Sequence, residues 1–197
     1  METTLKVLGI YGSPRNNGNT DQLLDMVLKG SADAGLETST LYVRKLKING
    51  CTECDSCDKT DLCVIKDDMH SVYNMLDEAG IIILAAPIFY YNVPAKTKAL
   101  IDRTQVVWFK RMKQKGKERQ KDYENGRGYF ISVGGTKGDN LFEGTELTVK
   151  YFFESLDKSY EGGLFYRSVE GKGAIKKHPT ALDEAYALGK GIINDQE

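Results

Sequence analysis

Residues 5–20 read LKVLGIYGSPRNNGNT, and this stretch decides the fold. Leu5 to Tyr11 is a short, continuously apolar run, the pattern of a strand buried on both faces. Gly12 to Thr20 is built from Gly, Pro, Ser and Asn, so it is a loop. From Asn19-Thr20-Asp21 onward Leu23, Leu24, Val27, Leu28 and Ala32 recur at helical spacing until Gly35. A buried strand thus feeds a polar loop and then an amphipathic helix.

The same unit recurs along the chain. Glu37 to Val43 predicts a second strand. Asp67 and Asp68 give an N-cap signal for a helix carrying Val72, Met75, Leu76 and Ala79, which Gly80 stops. Ile81 to Ala86 is the most apolar strand, and Pro87 to Tyr91 the loop after it. Asn92-Val93-Pro94 opens a helix, with Pro near the first turn where its missing N–H costs least. Tyr129 to Val133 and Gly163 to Val169 are further strands; Phe142 to Leu156 and Thr180 to Asn194 are helices. Continuously apolar strands alternating with helices predict a parallel sheet covered on both faces. Five strands fit the flavodoxin-like α/β fold: a doubly wound sheet in the order 2-1-3-4-5. Such sheets bind ligands beyond the carboxyl ends of their strands, where the winding reverses, here between strands one and three.

Length and composition agree. The 197 residues suit a single domain, 1–197, that needs no disulfide or metal to hold a core. With 41% hydrophobic and 28% charged residues, disorder is not expected. A net charge of −1 argues against nucleic-acid binding. No apolar run approaches the roughly 18 residues of a membrane span. No signal-peptide pattern follows Met1-Glu2, which predicts a cytoplasmic chain. Two segments stand out: a cysteine loop at 50–64 and a basic run at 110–127. The latter holds eight basic and three acidic residues with no clean period. It reads as an exposed excursion, either merely solvated or a lid or docking surface.

The loop after strand one has the makings of an anion site. The N–H groups of a helix's first turn are unpaired and carry partial positive charge. Ser13, Asn19 and Thr20 add side-chain donors, Arg15 a charged fork, and Gly18 room for close approach. Neither better-known phosphate motif is present. Five residues separate Gly12 from Gly18, Asn19 stands where a Walker lysine would, and G-x-G-x-x-G is absent. The loop suits one terminal monophosphate; the alternative is a polar turn with an ordinary cap.

GSPRNNGNT resembles the phosphate loop of the flavodoxin-like NADPH-dependent FMN reductases, and the resemblance runs along nearly the whole chain. It implies that Ser13, Arg15, Asn17, Gly18, Asn19 and Thr20 hold the FMN phosphate. Residues 86–94, APIFYYNVP, resemble the opening of that family's SPxYxxxxPAxxKxxxDR run, through Pro87, Tyr90, Pro94-Ala95, Lys98 and Asp102-Arg103. The resemblance implies that Pro87, Ile88, Phe89, Tyr90, Asn92 and Val93 lie along the isoalloxazine. The aromatics also suit packing or a dimer contact. Gly134 and Gly135, after strand four, lie on the same sheet edge and would let backbone approach a planar ring. Asp102-Arg103 reads as a structural ion pair or interface contact. No Ser-His-Asp or Cys-His constellation is evident, and His70 and His178 lack ligand spacing.

All four cysteines lie in one thirteen-residue stretch: Cys51-x2-Cys54-x2-Cys57-x5-Cys63. A disulfide framework does not suit a reducing compartment. Zinc knuckles sit farther apart. C-x2-C-x2-C with a nearby fourth Cys is cuboidal iron–sulfur spacing, although the last gap differs from the ferredoxin run. Zinc and free thiols acting as a redox switch are the alternatives. The run resembles the compact motif of the iron–sulfur flavoproteins, a branch of the same family with a [4Fe–4S] cluster beside the flavin. The resemblance implies an NAD(P)H-dependent FMN oxidoreductase trading electrons with a ferredoxin-like or small-molecule partner, as a homodimer or homotetramer. A cluster-free NAD(P)H:FMN or quinone reductase and a non-enzymatic flavodoxin-like carrier are the alternatives.

Overall fold

The computed structural model describes residues 5–116 and 118–193. Met1-Glu2, Lys117 of the basic run and Asn194, the expected end of the last helix, lie outside the described residues. Five parallel strands, β1 (Lys6–Tyr11), β2 (Glu37–Tyr42), β3 (Ile81–Ala85), β4 (Arg127–Val133) and β5 (Ser159–Tyr166), form one sheet in the order 2-1-3-4-5. In register, Gly9 of β1 lies opposite Thr40 of β2 and Ile83 of β3.

The helices are α1 (Asn19–Asp33), α2 (Ser56–Thr60), α3 (Met69–Glu78), α4 (Ala95–Arg103), α5 (Gln105–Lys115), α6 (Glu143–Ser155) and α7 (Ala181–Gly191). Alternate strand residues point to opposite faces. Leu8, Ile10, Ile82, Leu84 and Phe130 pack with Val72 and Leu76 of α3, Leu100 of α4 and Phe152 of α6. Val7, Ile81, Ile83 and Ile131 pack with Leu23, Leu24 and Val27 of α1 and Ala185 of α7. All of β3 is buried on both faces, each large side chain contributing about 1.5–3 kcal/mol. Among the described residues no helix is long and apolar enough to cross a membrane.

Three elements depart from expectation. β5 begins four residues early, at Ser159 rather than Gly163. A bulge lies inside the strand, where Glu161 and Gly162 together oppose Tyr129; Gly163 just after it has φ 157°, and a Cβ there would sit 1.7 Å from the Phe130 carbonyl oxygen. A helical turn, α2, lies inside the cysteine loop. The basic run is not wholly an exposed excursion, because residues 110–115 finish helix α5. Val106 and Arg111 face inward there, and Arg111 is 4% exposed. Its Nε donates to Asp157 (2.9 Å), and its Nη atoms donate to the carbonyls of Glu154, Gln120 and Asp122. Charge alone made this segment look solvated; Glu154 and Asp157, which hold Arg111 in place, lie far along the chain.

Candidate functional site

The loops after β1, β3 and β4 meet at the carboxyl edge of the sheet. Gly12 N–H donates to the Ala85 carbonyl (2.8 Å), and Ile88 N–H to Val133 (3.0 Å). Thr97 Oγ1 donates to the Gly12 carbonyl (2.7 Å) and Ser132 Oγ to Ala86 (2.7 Å), both buried. These bonds place the three loops around one cleft at the predicted reversal of winding.

In the first loop the backbone curls around Ser13, whose Oγ accepts from Arg15 N–H (3.1 Å). Asn17 takes a left-handed φ of 51°, and its N–H donates to Asp21 Oδ2 (3.0 Å). Gly18 is the N-cap of α1, and no side chain caps that helix, so its first-turn N–H groups lack intrahelical acceptors. Beside them Thr20 is 1% exposed, and its Oγ1 has no partner among the described residues. An unpaired buried hydroxyl costs about 1–3 kcal/mol and calls for an acceptor. Arg15 is exposed and makes no ion pair among the described residues. The set of uncapped amides, orphaned hydroxyl and free guanidinium fits a phosphate.

One expected donor is already engaged in part. The Asn19 amide donates to the Gly171 carbonyl (2.8 Å) and its Oδ1 accepts from Ile175 N–H (3.3 Å). Its side chain therefore anchors the loop to residues 171–175, with its second amide N–H and its backbone left for an anion. Two residues were missed. Arg44, after β2, pairs with the 3%-exposed side chain of Asp21 (3.0 Å) and donates to Asn16 Oδ1 (3.1 Å). Its guanidinium lies over the Tyr42 ring at 4.8 Å, and Tyr42 stacks on Tyr11. Arg44 braces the loop from behind. Burial pushes the Asp21 carboxyl up, against the pull of Arg44. A cavity of about 210 Å³ opens between these groups.

The second loop turns on Tyr90 and Tyr91. Phe89 and Asn92 exchange N–H···O bonds of 2.7 and 3.0 Å across them, and both tyrosines have positive φ, 49° and 59°. A two-residue turn of this kind normally takes Asn-Gly. The strain throws the rings outward: Phe89 and Tyr91 are about half exposed and Tyr90 fully so. Pro87 and Ile88 are half-buried at the cleft. Asn92 Oδ1 accepts from Val93 N–H (2.8 Å), and the Val93 side chain packs into the core. Thus Val93 can offer a ring only backbone. In the third loop, a Cβ on Gly134 would meet Leu141 at 2.5 Å and one on Gly135 would meet Glu170 at 2.9 Å. Gly134 leaves room for Leu141, while Gly135 meets only the side chain of the exposed Glu170.

The cysteine loop hangs from two closely joined feet. Asn49 N–H donates to Asp67 Oδ2 (3.0 Å) and Lys47 N–H to Asp68 Oδ2 (2.6 Å). Arg103 of α4 forms a two-pronged pair with Asp67 (2.7 and 3.1 Å), so the predicted ion pair is with Asp67, while Asp102 pairs with Lys98. Burial pushes the Asp67 carboxyl up, but the bonds from Arg103, Asn49 and Met69 outweigh it and hold it low. Lys113 of α5 grips the tip through Asp61 (2.8 Å) and the Asp58 carbonyl. All four thiols are free; Cys51 and Cys54 are exposed, Cys57 and Cys63 partly so. Hydrogen bonds from Ser56 hold the Cys54 thiol below its usual range, and burial pushes Cys57 up. Cys57 lies within charge range of the other three. No three His, Cys, Asp or Glu side chains among the described residues converge as ligands of a single ion. The donor set, four reduced thiols on one loop, is of the soft type that iron–sulfur clusters and zinc select.

A family model described as NADPH-dependent FMN reductase matches residues 5–142. An iron–sulfur flavoprotein of Methanosarcina thermophila is 31% identical over 177 residues, covering 84% of this chain and 85% of its own. One from Archaeoglobus fulgidus is 35% identical over 203 residues, covering 98% of this chain and 96% of its own. Among solved structures, the NAD(P)H:quinone oxidoreductase of Methanothermobacter marburgensis superposes with a TM-score of 0.68 at 12% identity. That superposition covers 96% of each chain and shares the fold.

Proposed function

The chain belongs to the NADPH-dependent FMN reductase family of NAD(P)H-dependent oxidoreductases, and on that premise we propose that it works as an iron–sulfur flavoprotein. FMN would be held at the phosphate by Ser13, Arg15, Asn17, Gly18, Asn19 and Thr20. Its ring would lie along residues 87–93 and against Gly134 and Gly135. Cys51, Cys54, Cys57 and Cys63 would hold a [4Fe–4S] cluster. Bound together, the two groups supply two-electron and one-electron redox chemistry, joining NAD(P)H to a ferredoxin-like or small-molecule partner.

The chain's own part in this reading is binding and positioning. The orphaned Thr20 hydroxyl under the uncapped start of α1 is the observation that carries the flavin reading. The exposed aromatic turn fits a subunit contact, and we propose a homodimer or a dimer of dimers in the cytoplasm.

An anaerobic absorption spectrum with iron and acid-labile sulfide analysis tests this reading, followed by addition of NADH or NADPH. Flavin that bleaches, together with stoichiometric iron and sulfide that Cys54→Ser abolishes while FMN stays bound, is the expected result. A pure flavin spectrum that bleaches would leave a cluster-free reductase. A flavin that neither nucleotide reduces would contradict the reductase assignment.

A further inference from the structure

Arg103 has more structure around it than a helix-terminal arginine needs. Its side chain is 1% exposed. Nη1 donates to Asp67 Oδ2 (2.7 Å) and to the Asn49 carbonyl (3.0 Å). Nη2 donates to Asp67 Oδ1 (3.1 Å) and to the Ile65 carbonyl (3.3 Å). Asn49 precedes Cys51, while Ile65 and Asp67 follow Cys63. One guanidinium thus ties both feet of the cysteine loop to α4. Its Nε finds no acceptor among the described residues. Tyr73 closes the arrangement, its hydroxyl donating to the Arg103 carbonyl (3.0 Å). Cys63 is two residues before Ile65, whose carbonyl Arg103 holds, and lies within electrostatic reach of the Tyr73 hydroxyl and the Arg103 guanidinium.

The four cysteines are therefore not equivalent. Cys51 and Cys54 stand in solvent, where a neighbouring charge is screened. Cys63 is set at the foot of the loop near a buried cation, whose charge is screened less than in solvent. The potential of an iron–sulfur centre follows its net charge, its burial and the hydrogen bonds to its sulfurs.

We propose that Arg103 is a positioning residue for the metal centre: it closes the cysteine loop and, through its charge beside Cys63, raises the centre's reduction potential. This rests on the reading that the cysteines hold a cluster. A cation next to one ligand favours the reduced, more negative state of the cluster. Asp67 partly cancels that cation. Loss of Arg103 and loss of the Asp67 charge therefore act in opposite directions on the potential, whereas a purely structural staple would be weakened alike by either change.

The experiment uses the anaerobically isolated holoprotein and the variants Arg103→Met, Arg103→Lys and Asp67→Asn. Iron, sulfide and FMN per chain are measured, and the cluster is titrated with a redox dye series followed by electron paramagnetic resonance. Arg103→Met is expected to shift the oxidised-to-reduced ratio at fixed potential about tenfold toward oxidised, about 59 mV downward for one electron. Asp67→Asn shifts it upward. Arg103→Lys, which keeps the charge, stays nearer the wild type than Arg103→Met does. Shifts of Arg103→Met and Asp67→Asn in the same direction, or no shift with the cluster retained, would overturn the proposal. If Arg103→Met loses its cluster, Asp67→Asn decides: an upward shift supports the role of Arg103, and a downward or absent one overturns it. Wild-type protein with FMN but without iron and sulfide would overturn the cluster reading and the proposal with it. A loaded cluster with the wrong sign overturns only the role of Arg103.

Discussion

Replacing Thr20 by Val separates folding from FMN binding, because the two should move in opposite directions. Val keeps the volume and branching of Thr, so no cavity forms in a residue that is 1% exposed. In the FMN-free chain the Thr20 hydroxyl is buried without a partner. Its removal should stabilise that chain by about 1–3 kcal/mol, the cost of burying an unpaired hydroxyl. For a chain of this length, each kcal/mol raises Tm by about 2–4 °C. When FMN is bound, the same hydroxyl would donate to a phosphate oxygen. A hydrogen bond to a charged group is worth about 1.5–3 kcal/mol, so Kd should rise roughly 10- to 150-fold. The assays are urea unfolding of the stripped protein by circular dichroism and FMN titration by quenching of flavin fluorescence. A variant whose stripped form is less stable, and whose Kd stays within about twofold of wild type, would refute the phosphate assignment.

Arg15→Ala should weaken FMN binding by about 1.5–3 kcal/mol, and by less at high salt because Arg15 is exposed; an unchanged Kd at low salt would count against its role. Gly189→Ala tests the packing of α1 on α7, since its Cβ would lie 2.0 Å from the Val27 carbonyl oxygen. Overpacking there should cost about 1–3 kcal/mol in denaturant unfolding and leave FMN affinity alone. The pH dependence turns on Lys158, which is 0% exposed and donates to the carbonyls of Ala79 and Asn125. Burial pulls its pKa down to about 8, so above that pH the unfolded chain holds a proton the folded chain has lost. Stability should therefore rise from about pH 8 toward pH 10, and Lys158→Met should flatten that slope. Above about pH 10 the trend should reverse. Burial, with bonds to Asp25, Glu146 and Glu184, raises the pKa of Tyr11, Tyr160 and Tyr166, so folding holds protons there that the unfolded chain has lost.

The sheet could be read from the sequence because its signal is local. β1 and β3 are continuous apolar runs bounded by turn residues, and burial on both faces leaves such strands little other composition. The start of β5 differs from expectation because Gly162-Gly163 resembles a turn, while the bulge there exists only against Tyr129 of β4. Likewise the inward face of α5 depends on Asp157, 46 residues beyond Arg111. The proposed phosphate loop was legible as composition, yet the contacts that brace it were not. Arg44 is meaningful only once β2 brings it beside Asp21, and neither residue has a periodic or motif signal of its own.

The same distant pairing explains how the two candidate sites are joined. Arg44 braces the loop of Gly12 to Gly18 from the end of β2, and its carbonyl accepts from Lys96 of α4 (3.1 Å). Five residues further on, Asn49 gives its carbonyl to Arg103 of that same helix. The segment from Arg44 to Asn49 is therefore pinned to α4 at both ends, with the proposed flavin phosphate at one end and the cysteines at the other. Thr97, from the first turn of α4, also holds Gly12. One helix thus fixes the loop after β1, the exit of β2 and both feet of the cysteine loop. Its buried polar residues, Thr97 and Arg103, are the physical reason the two sites can keep a constant separation, which electron exchange between two bound groups requires.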